Sequence, residues 1–133
     1  HVWVAGDSSI TRLRAADGVV TGTYSAGSWI RDLAFDGRHI WVANAGSGTV
    51  TRLRASDGAN LGTFPAGSGP NALAFDGTSL WVVNAASSRV LRIRPSDGAI
   101  LGTFSTGRNP TDIAFDGANL WIPNETGRSI SKL

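Results

Sequence analysis

Short apolar stretches and tight polar turns alternate along the whole chain. Six Asp-Gly dipeptides, at 17–18, 36–37, 57–58, 76–77, 97–98 and 116–117, punctuate it. Asp-Gly between apolar segments marks a tight turn, because glycine tolerates the positive φ that such turns need. The intervening stretches are rich in Val, Ile, Leu, Thr, Phe and Trp, which favour strands. Glycine and proline recur too often for helices, and the longest stretch free of both, 78–94, is broken by Asn84, Ser87 and Ser88. The pattern predicts an all-β chain with almost no helix.

The pattern also repeats. Trp41, Trp81 and Trp121 lie 40 residues apart, and 41–80 matches 81–120 at 23 of 40 positions. Only Trp3 breaks step, at 38 before Trp41, which places a two-residue deletion around Gly6-Asp7. In the best copy, strand A is Asn71–Phe75, B is Leu80–Asn84, C is Arg89–Arg94 and D is Ile100–Ser105. Four antiparallel strands in a repeat of this length are the signature of a β-propeller blade. The chain then divides into strands B–D of a first blade (1–27), complete blades at 28–67 and 68–107, and a partial blade at 108–133. Fourteen strands result, or about three and a half blades in a single partial propeller.

The phrases Pro70-Asn-Ala-Leu-Ala-Phe-Asp-Gly and Leu80-Trp-Val-Val-Asn84, with their counterparts Pro110–Gly117 and Leu120–Asn124, resemble bacterial YVTN/NHL-type propeller repeats. The resemblance covers essentially the whole chain and implies the fold. It implies no single activity, since such propellers host binding, scaffolding and catalysis. It implies a bacterial setting and is compatible with an extracytoplasmic one.

The repeated residues read as architecture. Trp41, Trp81 and Trp121 are expected to wedge between blades. Phe35, Phe75 and Phe115, with Leu33, Leu73 and Ile113, should fill the inter-blade layer near the axis, and Tyr24, Phe64 and Phe104 the layer further out. Asp36, Asp76 and Asp116 read as turn carboxylates accepting backbone N–H bonds. Arg12, Arg52 and Arg92, and Arg14, Arg54 and Arg94, read as solvated side chains partly paired with nearby aspartates.

Function is sought where the copies differ. The A–B and C–D turns keep Asp-Gly, whereas the D–A and B–C loops diverge, and antiparallel alternation puts both kinds of variable loop on one face. Variable side chains on a rigid frame suit binding. That reasoning selects Trp29, Arg31, Asn71, Arg108, Asn109 and Thr111 as candidate contacts for a protein or small ligand.

Chemistry narrows the picture further. The chain has 133 residues, a net charge of +2, and neither Cys nor Met. Disulfides, thiolate metal sites and a cysteine nucleophile are excluded. With only two histidines, His1 and His39, and one glutamate, Glu125, no metal-ligand spacing, Walker loop or nucleophile elbow is present. No metal and no cofactor are expected. The near-neutral charge argues against nucleic acid, no apolar run suits a membrane, and no signal peptide is visible, so the chain reads as soluble. The expected function is a non-enzymatic self-assembling scaffold or binding platform. The alternative is a lyase-like propeller enzyme with a site built from several subunits or further blades. Streptogramin lyases, which resemble this chain, use histidine and glutamate, and nothing here matches that constellation.

Rings close with six to eight such blades, so open flanks should drive homo-oligomerisation. A dimer supplies twenty-eight strands, the equivalent of seven blades of four, or, since one chain ends A-B-C and the next begins B-C-D, eight partly filled blades. Ends that fall mid-blade also suit an excised or engineered segment of a longer propeller.

Overall fold

The computed structural model describes residues 1–133 and contains strands and turns but no helix. Nothing in it is therefore a helix long and apolar enough to cross a membrane. Four antiparallel sheets follow one another along the chain. Sheet 1 comprises β1 (Val2–Ala5), β2 (Ser9–Leu13) and β3 (Val20–Ser25). Sheet 2 comprises β4 (Ile30–Phe35), β5 (His39–Asn44), β6 (Thr49–Arg54) and β7 (Asn60–Pro65). Sheet 3 comprises β8 (Pro70–Phe75), β9 (Leu80–Asn84), β10 (Arg89–Ile93) and β11 (Ile100–Ser105). Sheet 4 comprises β12 (Ala114–Phe115), β13 (Leu120–Asn124) and β14 (Ser129–Lys132). Sheets 2 and 3 have four strands; sheet 1 lacks the innermost and sheet 4 the outermost.

Each Asp-Gly turn is fixed by its own carboxylate. Asp76 Oδ1 accepts the N–H groups of Thr78 (2.8 Å) and Ser79 (2.7 Å), as the turn chemistry predicts. Its Oδ2 does more: it accepts the indole N–H of Trp81 at 2.7 Å. Asp36 with Trp41 (2.8 Å) and Asp116 with Trp121 (2.7 Å) repeat the arrangement. The carboxylate thus locks the turn and satisfies a polar atom that the large ring carries into the core.

The core lies between sheets, in three joints. Trp41, Ala43 and Val50 of sheet 2 pack on Leu73, Leu80, Val82, Leu91 and Ile93 of sheet 3. Trp81, Val83 and Val90 of sheet 3 pack on Ile113, Leu120 and Ile122 of sheet 4, and Ile10 of sheet 1 packs on Ile40, Val42 and Leu53 of sheet 2. Every sheet therefore has a forward face, carrying the tryptophan, and a backward face. Tyr24, Phe64 and Phe104 extend the forward faces, with ring centroids 5.5–5.9 Å from Trp3, Trp41 and Trp81.

The inner arginines are not the solvated side chains expected from the sequence. Arg52 lies 5.7 Å from the Trp41 ring and 5.5 Å from the Phe64 ring, and its guanidinium donates to Pro95 O (2.6 Å) and Ser96 O (2.9 Å) of the next sheet. Arg12 does the same over Trp3 and Tyr24, reaching Ser56 O at 2.6 Å. A flat guanidinium can stack on an aromatic ring while its edge keeps donating, which makes it a latch between sheets. Arg14, Arg54 and Arg94 behave as expected, pairing at the exposed surface with Asp17, Asp57 and Asp97 at 2.7–2.9 Å.

The repeat supplies its own reference for burial. Ile10, Val50 and Val90 occupy one forward-face position and are completely buried, whereas Ile130 at the same position is 67% exposed. Val4 is 46% exposed, whereas Val42, Val82 and Ile122 at its backward-face position are completely buried. Val2 is likewise 48% exposed against 4% or less for Ile40, Leu80 and Leu120. Three of the expected inter-blade aromatics depart from expectation for related reasons. Trp121 is 38% exposed because no sheet follows its forward face. Phe35 is 58% exposed because sheet 1 has no inner strand in front of it. Phe115 is exposed on β12, whose ladder is only two residues long. Phe75 is half-buried, and Trp41 and Trp81 are buried as expected.

Candidate functional site

The D–A loops (between β3 and β4, β7 and β8, β11 and β12) and the B–C loops lie side by side, stitched by backbone bonds. Ala45 N–H donates to Trp29 O (3.0 Å), and Glu125 N–H to Asn109 O (3.0 Å). Beneath them stands a column of buried asparagines, Asn44, Asn84 and Asn124, each with a side-chain oxygen that has no protein partner. Each amide lies directly against a loop glycine, Gly27, Gly67 or Gly107; a Cβ would collide with it at Gly27 and Gly107 and press tightly on it at Gly67. Asn44 Nδ2 donates to Thr51 Oγ1 at 2.9 Å, and that hydroxyl bonds Ala26 O at 2.6 Å. Asn44 through Thr51, and Asn124 through Ser131 Oγ, which accepts Gly107 N–H at 3.1 Å, therefore tie their loops to the sheets. Sequence reasoning missed the column, although the 40-residue recurrence of both Asn and Gly is its signal.

Trp29 stands out among the expected contacts. It is 69% exposed and holds φ at 51°, in the left-handed region. Gly69 occupies the equivalent position at φ 69° and Asn109 at 53°. A bulky side chain there is costly, and such strain concentrates at functional positions. Trp29 and Arg31 line a shallow depression of about 280 Å³ with Asp7 and Ile30. Arg31 is exposed at a strand irregularity between Ile30 and Asp32, the kind of bulge that re-aims a side chain.

The remaining candidates do not converge on that depression. Asn71 occupies the equivalent irregularity, but its Nδ2 donates to Pro110 O at 3.1 Å, so it joins sheets 3 and 4. Asn109 Nδ2 donates to Glu125 Oε2 at 2.8 Å. Arg108 is exposed, and Thr111 lines a separate open hollow of about 600 Å³ with Glu125 and Arg128.

Near the axis, Asp32 Oδ2 accepts Leu73 N–H (2.7 Å) and Oδ1 accepts Leu33 N–H (2.8 Å). Burial pushes its carboxyl above the usual range despite these bonds, and the charge of Asp112 adds to the effect. The turn carboxylates move the other way. Burial would raise Asp36 and Asp76, but the indole and backbone donors together outweigh it and hold both below the usual range.

No protein-family model and no curated protein matches this sequence. Solved structures do. A hydrazine synthase from Kuenenia stuttgartiensis is 18% identical with a TM-score of 0.87, over 98% of this chain and 42% of that one. The computationally designed Ika4 protein is 17% identical with a TM-score of 0.83, over 97% of this chain and 81% of that one. The dihydro-heme d1 dehydrogenase NirN is 22% identical with a TM-score of 0.75, over 96% of this chain and 30% of that one. The chain spans less than half the length of the hydrazine synthase and NirN chains it matches. At these identities the likeness speaks to fold alone: four consecutive antiparallel sheets joined face to face form a β-propeller architecture.

Proposed function

We propose that this chain is a non-enzymatic propeller module, built from repeats of the YVTN/NHL kind, that self-assembles head to tail with a second copy. The observation that carries this reading is the exposure of Val2, Val4, Trp121 and Ile130, at positions that are buried, or at Trp3 half-buried, wherever a neighbouring sheet is present. The forward face of sheet 4 and the backward face of sheet 1 are the two halves of one recurring joint. Each therefore has its complement on another copy, and using both on each chain closes a two-fold ring. Each chain brings four separate sheets, so two chains make eight, rather than the seven given by dividing strands by four. Trp29 and Arg31, on a frame that assembly would stiffen, are the contacts favoured for a ligand at the loop face.

Light scattering on a sizing column tests the reading. A species at twice 13.9 kDa is expected. A monomer that persists at every concentration overturns it.

A further inference from the structure

The three A–B turns share one plan, but one of them carries a side chain that the others lack. The residue that closes the turn is His39 in sheet 2, Ser79 in sheet 3 and Asn119 in sheet 4. In sheet 3 the serine has a structural task, because its hydroxyl accepts Arg92 Nε–H at 2.8 Å. In sheet 2 the histidine does not perform that task, and the matching atom, Arg52 Nε, is buried without a partner. His39 meets a carboxylate instead, with Nδ1 3.0 Å from Asp36 Oδ2.

That contact fixes the tautomer of the ring. Backbone N–H groups of Arg38 and His39 and the Trp41 indole all donate to Asp36 and keep it ionised. Its Oδ2 can therefore only accept, so Nδ1 must carry the proton of the neutral imidazole. The lone pair is left on Nε2, which makes no bond to protein. The side chain is 21% exposed and lines a hollow of about 340 Å³ between sheets 2 and 3, with Arg38, Arg94 and Ser96 among its walls.

Most charges around this hollow are already matched. Arg94 pairs with Asp97, and Arg54, opposite His39 on β6, pairs with Asp57. Asp36 and, behind Thr78, Asp76 are taken up by their own turns and tryptophans. Arg52 adds positive charge from within, since its guanidinium donates to the carbonyls of Pro95 and Ser96 in the hollow's wall. The exposed Arg38 guanidinium makes no ion pair, and it lines both this hollow and a second of about 380 Å³ that also reaches His39.

We propose that Arg38 and His39 form a binding site for inorganic phosphate on the turn face, opposite the loops that carry Trp29. A lone pair on Nε2 calls for a ligand that brings a proton, and a free guanidinium calls for one that brings anionic oxygens. Hydrogen phosphate supplies both: its P–OH donates to Nε2 while its other oxygens accept from Arg38. Carboxylates and sulfate are fully ionised at neutral pH and offer acceptors only. A phosphomonoester sheds its last proton near a pKa of about 6 and is disfavoured for the same reason. The site lies wholly within sheets 2 and 3 and does not depend on how copies associate.

The test is a titration of the full chain at pH 7 with sodium phosphate and, separately, with sodium sulfate at equal ionic strength. Amide and histidine-ring chemical shifts give the readout. Saturable one-to-one phosphate binding is expected, with shifts concentrated at Arg38, His39 and Ser96. Sulfate should bind about tenfold more weakly or worse, because it leaves the Nε2 acceptor unmet. At an acid pH where the His39 ring signals show both nitrogens protonated, Nε2 becomes a donor and the preference for phosphate should vanish. Arg38→Gln should weaken both anions, whereas His39→Ser, which installs the sheet 3 residue, should abolish only the preference. Equal affinity for the two anions at pH 7, shifts spread over all exposed arginines, or no saturation overturns the proposal. Should His39→Ser fail to fold, Arg38→Gln decides, and undiminished phosphate binding in that variant refutes the site.

Discussion

Ile130→Ala separates assembly from folding. The substitution removes three carbons, worth about 0.8 kcal/mol each when fully buried. Only the 67% of Ile130 that is exposed in one chain is available to be buried by another, so the loss is roughly 1.6 kcal/mol per joint. A closed two-copy ring contains the joint twice, which makes the loss about 3 kcal/mol and weakens dimerisation roughly 200-fold. An open pair, with one joint, would weaken only about 15-fold. Sedimentation equilibrium across a wide concentration range reads the difference. Val90→Ala serves as the reference, because it occupies the same repeat position but is completely buried within the chain. It should lower folding stability by about 2 kcal/mol, whereas Ile130→Ala should leave the unfolding midpoint of the dissociated chain nearly unchanged. An Ile130→Ala chain that associates as tightly as the parent refutes the joint.

Trp81→Ala should cost about 3–5 kcal/mol in chemical denaturation, since it empties a joint and leaves Asp76 without its indole donor; an unchanged midpoint would remove Trp81 from the core. Trp29→Gly should stabilise the chain by up to about 1 kcal/mol, because glycine meets no penalty at φ 51°, and a stability loss would show that Trp29 is packed rather than displayed. Acid should destabilise the fold through Asp36 and Asp76: with folded values below the usual 3.8, their contribution is present above that pH and fades as pH falls. Asp32 has the opposite sign, its contribution fading as pH rises through its raised value. Asp76→Asn should therefore cost about 1 kcal/mol at pH 7, allowing for partial exposure, and less at an acid pH below 3.8. Equal costs at both pH values, read by thermal melts, would deny the role of the charge.

Much of the fold was legible because the repeat gives each position several readings. A lone Asp-Gly is a weak turn signal, but six at fixed spacing define strand ends, and the recurring tryptophans define a face. What escaped the sequence was chemistry that reaches from one copy into another. Arg52 looked solvated because its local neighbours include aspartates, yet its guanidinium bonds to carbonyls more than forty residues away. Phe35 matched Phe75 in sequence but not in burial, because burial depends on the preceding sheet rather than on its own. At the loop face, Trp29 was recognisable as the odd residue out. Asn71 was not recognisable as a bridge, since a variable polar side chain looks the same whether it meets a ligand or a neighbouring carbonyl.

The two arginine latches that cross between sheets point one way. Arg12 reaches forward 44 residues to Ser56, and Arg52 forward 43 to Pro95. The third, Arg92, turns back to Ser79 within its own sheet. Where an arginine joins two sheets, dependence is therefore directional, with sheets 1 and 2 each gripping the sheet that follows. During synthesis the gripping side chain leaves the ribosome before the turn that it will hold. Docking can then proceed in the order of translation, one sheet at a time, without waiting for a distant segment. A circular permutant that moved a gripping arginine behind its target turn would reverse that order while leaving the final contacts unchanged.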